Sequence, residues 1–231
     1  MYIKQQTNMN ISVIKKYGLM AVAMMIVVHG MTSCDDHEAI DTNIHVGHVL
    51  CSDGNVLTAD DCKKQGKEPV AIVFYTSKDN NDNGEGLAVG LKEISAVAFS
   101  DTLGVNQGTT ASTTNKDGNA NTFALYSNNK ANSPLAKEVF AVWRYGQSAY
   151  IPSVAEMRLL YAAIDVVNPL MVRLGGDPIA RQDNGCWYWT STEVEGQASA
   201  KAWLYSLGTG AMQETPKTEA HPARYIITLN R

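Results

Sequence analysis

The spacing of apolar residues changes several times along this chain, and each spacing predicts a different element. Residues 70–75 (VAIVFY) form a continuous apolar run, which is typical of a strand buried on both faces. Residues 49–50 and 56–57 predict two short strands around a turn, and residues 86–93 predict another strand. Further strands are predicted at 186–191, 200–207, 211–215 and 223–229.

Two segments have the apolar spacing of a helix. Ser133 and Pro134 suit the N-cap and first position of one helix, whose apolar face begins at Leu135. The longer helix is predicted over residues 153–167, where Ser153 and Glu156 have the spacing of a capping box. We expect Pro169 to end this helix, because proline lacks the N–H that a helix interior requires.

Residues 104–132 are rich in Asn, Thr, Gly and Ser and show no apolar periodicity. So long a segment without a pattern predicts a long polar loop, which is either functional or disordered. Together, the segments predict an α+β fold with mixed or antiparallel sheets, two main helices and long loops.

Residues 1–33 have the pattern of a lipoprotein signal peptide. Lys15 and Lys16 precede an apolar stretch over 19–28, which suits a signal peptide and is well short of the ~20 residues that span a bilayer. The segment from Met31 to Cys34 (MTSC) resembles a lipobox, in which the cysteine thiol receives the lipid. We therefore predict removal of 1–33, acylation of Cys34 by groups such as palmitate, a tether over 34–48 and a single domain over 49–231.

The charged residues suggest a cellular location for the chain and argue against one class of partner. The acidic run at 35–38 (DDHE) is similar to the surface-export signal of Bacteroidetes-type lipoproteins, which implies a lipid anchor in the outer membrane and a domain on the cell surface. The whole chain has 19 Lys and Arg against 23 Asp and Glu. Because nucleic-acid binding needs clustered basic residues, and none are clustered here, the membrane is an expected partner and nucleic acid is not.

Cys51 and Cys62 enclose ten residues near the start of the predicted domain. An oxidising compartment would allow a disulfide between them. Two reduced, partly buried thiols are the alternative, and the sequence leaves both open.

Several segments resemble one known family. Ala149–Leu160 is similar to the signature W-x-L-P-S/T-x-x-E-L-x-x-L, and Tyr188–Glu193 (YWTSTE) to the signature YWSSTE, with Trp203, Lys217 and Arg224 following in the family order. These segments resemble the DUF1566/Lcl C-terminal domains and the Fibrobacter paralogous domains, across nearly all of 49–231. The resemblance implies a C-type-lectin-like fold. It implies little about function, because that fold carries adhesins, receptor-like binders and the formylglycine-generating enzymes.

An aromatic group supplies the candidate ligand-binding residues. They are Trp187, Tyr188, Trp189 and Trp203. Because side chains alternate along a strand, Trp187 and Trp189 share one face and Tyr188 takes the other. One face is expected in the core, and the other could form a platform for sugar rings or peptide side chains.

Asp79, Asn81 and Asn83 match the first half of an EF-hand calcium loop. The position that should hold the bidentate glutamate is Gly90, so any calcium site would be weak, and a hairpin turn is the simpler interpretation. We expect no other metal or cofactor.

These features predict a cell-surface lipoprotein with a non-catalytic domain that binds a glycan or protein, in adhesion or in a fimbria-like assembly. No nucleophile or zinc-protease motif is present in the sequence, and the capping position explains Glu156. The alternatives are an envelope enzyme or accessory related to the formylglycine-generating enzymes, which would use Cys186, and a purely structural surface subunit.

Overall fold

The computed structural model describes residues 44–77, 86–144, 147–182 and 184–229. The lipid-anchor residue Cys34 and the calcium candidates Asp79, Asn81 and Asn83 lie outside these ranges. Within them, no helix combines the length and the apolar character needed to cross a membrane.

Three antiparallel sheets form the β-structure of the described residues. Their strands are β1 (Val49–Cys51), β2 (Val56–Leu57), β3 (Pro69–Thr76), β4 (Gly86–Ala98), β5 (Trp143–Arg144), β6 (Gln147–Ser148), β7 (Trp187–Glu193), β8 (Lys201–Ser206), β9 (Met212–Pro216) and β10 (Ala220–Leu229). The main sheet has the order β10-β4-β3-β1-β2, β5 pairs with β6, and the third sheet has the order β7-β8-β9.

Four helices accompany these sheets in the described part of the chain. They are α1 (Ala59–Lys64), α2 (Gly118–Ser127), α3 (Pro134–Ala141) and α4 (Val154–Arg173). Helices and antiparallel sheets in one compact unit confirm the predicted α+β class.

Strand β3 contributes to the core on both of its faces, as its continuous apolar run predicted. Val73 packs into a cluster with Leu135 of α3, whereas Ile72 packs into a second cluster with Met157 and Leu160 of α4. The main sheet therefore lies between α3 on one face and α4 on the other. Two apolar layers around one sheet bury most of the large side chains of the domain.

Helix α4 does not end at Pro169, so the predicted boundary was wrong. The helix continues to Arg173, and Met171, beyond the proline, is fully buried. Leu170 and Leu174 pack against the cluster formed by β1, β2 and α1. An interior proline costs about 3 kcal/mol, but burying several large apolar side chains yields more.

The segment 104–132 is not a continuous loop, because α2 occupies its second half. Leu125 is the one large apolar side chain that this helix buries in the core, and polar contacts hold the rest of it. The Thr122 hydroxyl donates to Gly118 O (2.7 Å) and accepts from Ile151 N (2.9 Å), and the Asn121 side chain accepts from Thr110 N (3.1 Å). A helix stabilised in this way shows no helical spacing of apolar residues in the sequence. This explains why α2 was not predicted.

Candidate functional site

Tyr188 and Trp189 of β7 are fully buried, and neighbouring positions of this strand face opposite sides. Trp189 packs in the cluster with α3 and donates its indole N–H to Val97 O (3.0 Å), whereas Tyr188 packs in the cluster with α4 and accepts from Ala180 N (3.1 Å). Both faces of β7 therefore belong to the core. Neither side chain forms a platform for a ligand.

Trp187 and Trp203 are the partly exposed members of the predicted aromatic group. Trp187 lies against the cluster that contains Trp189. Trp203, on β8, lies against the other cluster and also lines an open cleft. Of the four candidates, two therefore lie in the core, Trp187 lies at the edge of the core, and Trp203 lines the cleft.

We define the Trp203 cleft by two walls. One wall is the segment Thr110–Thr114, and the other consists of Val194, Glu195, Trp203 and Glu214. The cleft has a volume of about 430 Å³, which falls within the range of small-molecule binding sites. Four hydroxyl side chains, two carboxylates and one indole ring thus surround a single open space.

The Thr110–Thr114 wall is held in an unusual backbone conformation. Ala111 has a φ of 54°, a left-handed value that alanine rarely adopts. Flanking contacts fix the wall: Arg158 donates to Thr113 O (2.7 Å), and the Thr110 hydroxyl donates to Asp117. Strain of this kind persists only where the surroundings enforce it, and it concentrates at functional sites.

A buried ion pair anchors the same segment from behind. Lys217 and Glu193 have no exposed side-chain surface, and Lys217 Nζ lies 2.7 Å from Glu193 Oε1. The Glu193 carboxylate also accepts from Gln107 N (3.0 Å) and from the Thr109 hydroxyl (3.0 Å). Glu193, at the end of β7, therefore positions the chain that leads directly into the cleft wall.

The opposite wall carries two carboxylates, of which Glu214 is paired with Lys201. The Glu214 carboxylate accepts from Gln197 Nε2 and Lys201 Nζ, each at 3.0 Å, through the same oxygen, Oε2. Glu195 is exposed at the mouth of the cleft. Carboxylates accept hydrogen bonds from hydroxyl groups, so the cleft suits polar ligands that carry hydroxyls.

Cys51 and Cys62 lie together, as the sequence suggested. Both are buried, and their sulfur atoms are 3.0 Å apart in the reduced state. Burial and the neighbouring Cys62 raise the pKa of the Cys51 thiol to about 12. A buried thiol with so high a pKa reacts poorly as a nucleophile, but a small shift of the sulfurs would place the pair at disulfide distance.

Cys186 and Glu156 also have defined structural environments. Cys186 is buried, with its sulfur 3.2 Å from the Ser206 hydroxyl. Glu156 forms a capping box with Ser153, which confirms the capping box predicted from the sequence. Among the described residues, no group of three or more His, Cys, Asp and Glu side chains is arranged to hold a metal ion.

The sequence did not single out the cleft residues other than Trp203. Thr110–Thr114 lay in the polar segment 104–132, and Glu195 and Glu214 follow Thr114 by 81 and 100 positions. Only the length of the polar segment indicated a functional role.

No family model matches this chain, and a search of curated proteins likewise finds no match.

Proposed function

We propose that this is a lipid-anchored surface protein that binds a glycan, without catalysis, in the Trp203 cleft. In this proposal Cys34 carries the lipid in the outer membrane, and the α+β domain belongs to the C-type-lectin-like group suggested by its sequence signatures. Adhesion, alone or within a fimbria-like assembly, is the role that fits such a domain.

The single observation that carries the proposal is the composition of the cleft. A sugar ring has an apolar face of C–H groups and a rim of hydroxyls. The indole of Trp203 can pack against the apolar face of the sugar ring. The hydroxyl and carboxylate groups of the cleft can form hydrogen bonds with the sugar hydroxyls.

A detail of Trp203 supports the same assignment. Its indole N–H is buried and meets no acceptor among the described residues. A buried donor without a partner costs about 1–3 kcal/mol. A ligand hydroxyl that reached this N–H after a small ring rotation would recover part of that cost, which favours ligands rich in acceptors.

The proposal is tested with the lipid-anchored protein in detergent on a glycan array. We expect Trp203→Ala to weaken binding to any glycan that the parent protein binds by about tenfold or more, as for a central aromatic contact. The control is Phe123→Ala, which removes another aromatic ring, 61 % exposed, from α2.

Equal loss in both variants, or unchanged binding in Trp203→Ala, would contradict the assignment of the cleft. An array without any glycan signal, together with specific capture of a host protein, would replace the glycan by a protein ligand. Urea denaturation of both variants shows whether a loss of binding reflects a loss of folding.

A further inference from the structure

A second cavity lies where the end of β3, the start of α2 and the first turn of α4 meet. Its volume is about 190 Å³, and it shares no lining residue with the Trp203 cleft. Its polar lining comes from Tyr75, Ser77, Lys116, Asn119, Tyr150, Glu156 and Thr228. This small, polar space is independent of the proposed glycan site.

Glu156 uses only one of its two carboxylate oxygens for the capping box. Oε2 accepts from Ser153 N (2.7 Å) and from Gly118 N (3.2 Å). Oε1 accepts a long hydrogen bond from the Tyr150 hydroxyl (3.4 Å), which lies closer to the Thr228 hydroxyl (2.9 Å). The capping role therefore explains one oxygen and leaves the other for a different partner.

The Glu156 side chain has no charged donor among the described residues. Glu156 is only 3 % exposed, and its donors are backbone N–H and hydroxyl groups. Burial raises its pKa, while the hydrogen bonds from Ser153 and Gly118 act in the opposite direction. A cation in the cavity would complete the environment of this carboxylate, because buried charges are normally paired.

The rim of the cavity carries the opposite charge. Lys116 is exposed, and its ammonium lies over the Tyr75 ring, 5.0 Å from the ring centre. The cavity thus has an anionic side at Glu156 and a cationic side at Lys116. The Asn119 side chain and the Thr228 hydroxyl, which also line the cavity, supply neutral donors and acceptors.

We propose that this cavity binds a free α-amino acid. Its ammonium group pairs with Glu156 Oε1, beside the Tyr150 ring, and its carboxylate pairs with Lys116. The two charges of the ligand match those of the cavity, and its few heavy atoms match the small volume. Each contact is a charge-assisted hydrogen bond, the strongest kind available to a small ligand.

Isothermal titration calorimetry of the full chain with L-alanine, ethylamine and propionate tests the proposal at neutral pH. Ethylamine retains the ammonium group and lacks the carboxylate, and propionate retains only the carboxylate. We expect L-alanine to bind about tenfold or more tightly than either fragment, because each fragment loses one ion pair.

Lys116→Met distinguishes this arrangement from a general affinity for amines. We expect the variant to lose the preference for L-alanine over ethylamine and to bind ethylamine as the parent protein does. Lys137→Met, which alters another exposed lysine on α3, is the matched control and should bind L-alanine normally. An unchanged preference in Lys116→Met would overturn the proposal.

Glu156→Gln should abolish binding of both L-alanine and ethylamine. Circular dichroism checks that this variant folds, and if it does not, Lys116→Met alone decides. Absence of L-alanine binding at millimolar concentration would also refute the site. Because Trp203 lies outside the cavity, Trp203→Ala should leave L-alanine binding intact, so this result is separable from the glycan proposal.

Discussion

Lys217 is a charged residue whose side chain has no contact with solvent. All the hydrogen-bond donors of its ammonium group have acceptors. Its ammonium donates to Glu193 (2.7 Å), Val105 O (2.8 Å) and Ala198 O (2.9 Å). Three donors thus meet three acceptors. Forming a buried ion pair costs free energy, because both charges leave water. Removing only one of the two partners costs more, because the other charge then stays buried and unpaired.

Lys217→Met should therefore lower the free energy of unfolding by about 3–5 kcal/mol, because it leaves the Glu193 carboxylate buried without a cation. Urea denaturation measures this change. Lys64→Met is the matched control: Lys64 pairs with Asp61 at the surface, with 77 % of its side chain exposed, and should cost at most about 1 kcal/mol. Equal effects of the two substitutions would show that the buried pair has no special role.

The tryptophans show what a sequence can indicate about single residues. Alternation along β7 correctly placed Trp189 and Tyr188 on opposite faces. It could not show that both faces are covered, because α3 and α4 pack there from distant parts of the chain. Trp203 was identified by residue type, whereas its cleft depends on Thr110–Thr114, which reaches it through the long-range contacts of Glu193.

Helix α1 and strand β1 are the elements that a disulfide would join. Cys51 lies at the end of β1 and Cys62 within α1, eleven positions apart. We expect protein isolated with its free thiols blocked to contain a Cys51–Cys62 disulfide. A bridge closing a loop of this size is worth roughly 2–3 kcal/mol in the chain-entropy model.

Peptide mass spectrometry without reduction detects this bridge directly, and Cys186→Ser should leave it unchanged. Cys51→Ser should reduce stability more under oxidising conditions than in excess reductant. Finding both thiols alkylated in protein taken straight from the cell envelope would contradict the prediction.

Secondary structure was predictable where apolar residues alone decide it. The buried β3, the capped start of α4 and the β-segments after residue 185 all have the expected places. Helix α1 and the short strands β5 and β6 were not predicted. Two further differences have tertiary causes. Helix α4 passes Pro169 because Met171 is buried and Leu170 and Leu174 pack against the cluster of β1, β2 and α1. Helix α2 forms because polar side chains such as Thr122 bond to Ile151 of another segment. Neither cause is visible in a local pattern.

At the scale of the whole molecule, the lipid anchor remains a prediction from the sequence. Labelling cells with an alkyne analogue of palmitate should modify the parent protein. Cys34→Ser should abolish the label and release the protein from membranes, because a serine hydroxyl cannot form the thioether. Cys186→Ser, which alters a buried cysteine, is the control and should remain labelled. Labelled Cys34→Ser protein would exclude this anchor.

Strand β10 completes the main sheet by pairing with β4, and its Arg224 contacts Glu93, 131 positions earlier. During synthesis from the amino terminus, the edge of β4 therefore waits for a partner until nearly all of the described chain has emerged. Pairing across so great a separation is slow, and an unpaired edge invites association with other chains. Nascent protein truncated before β10 should accordingly depend on chaperones and aggregate when they are depleted.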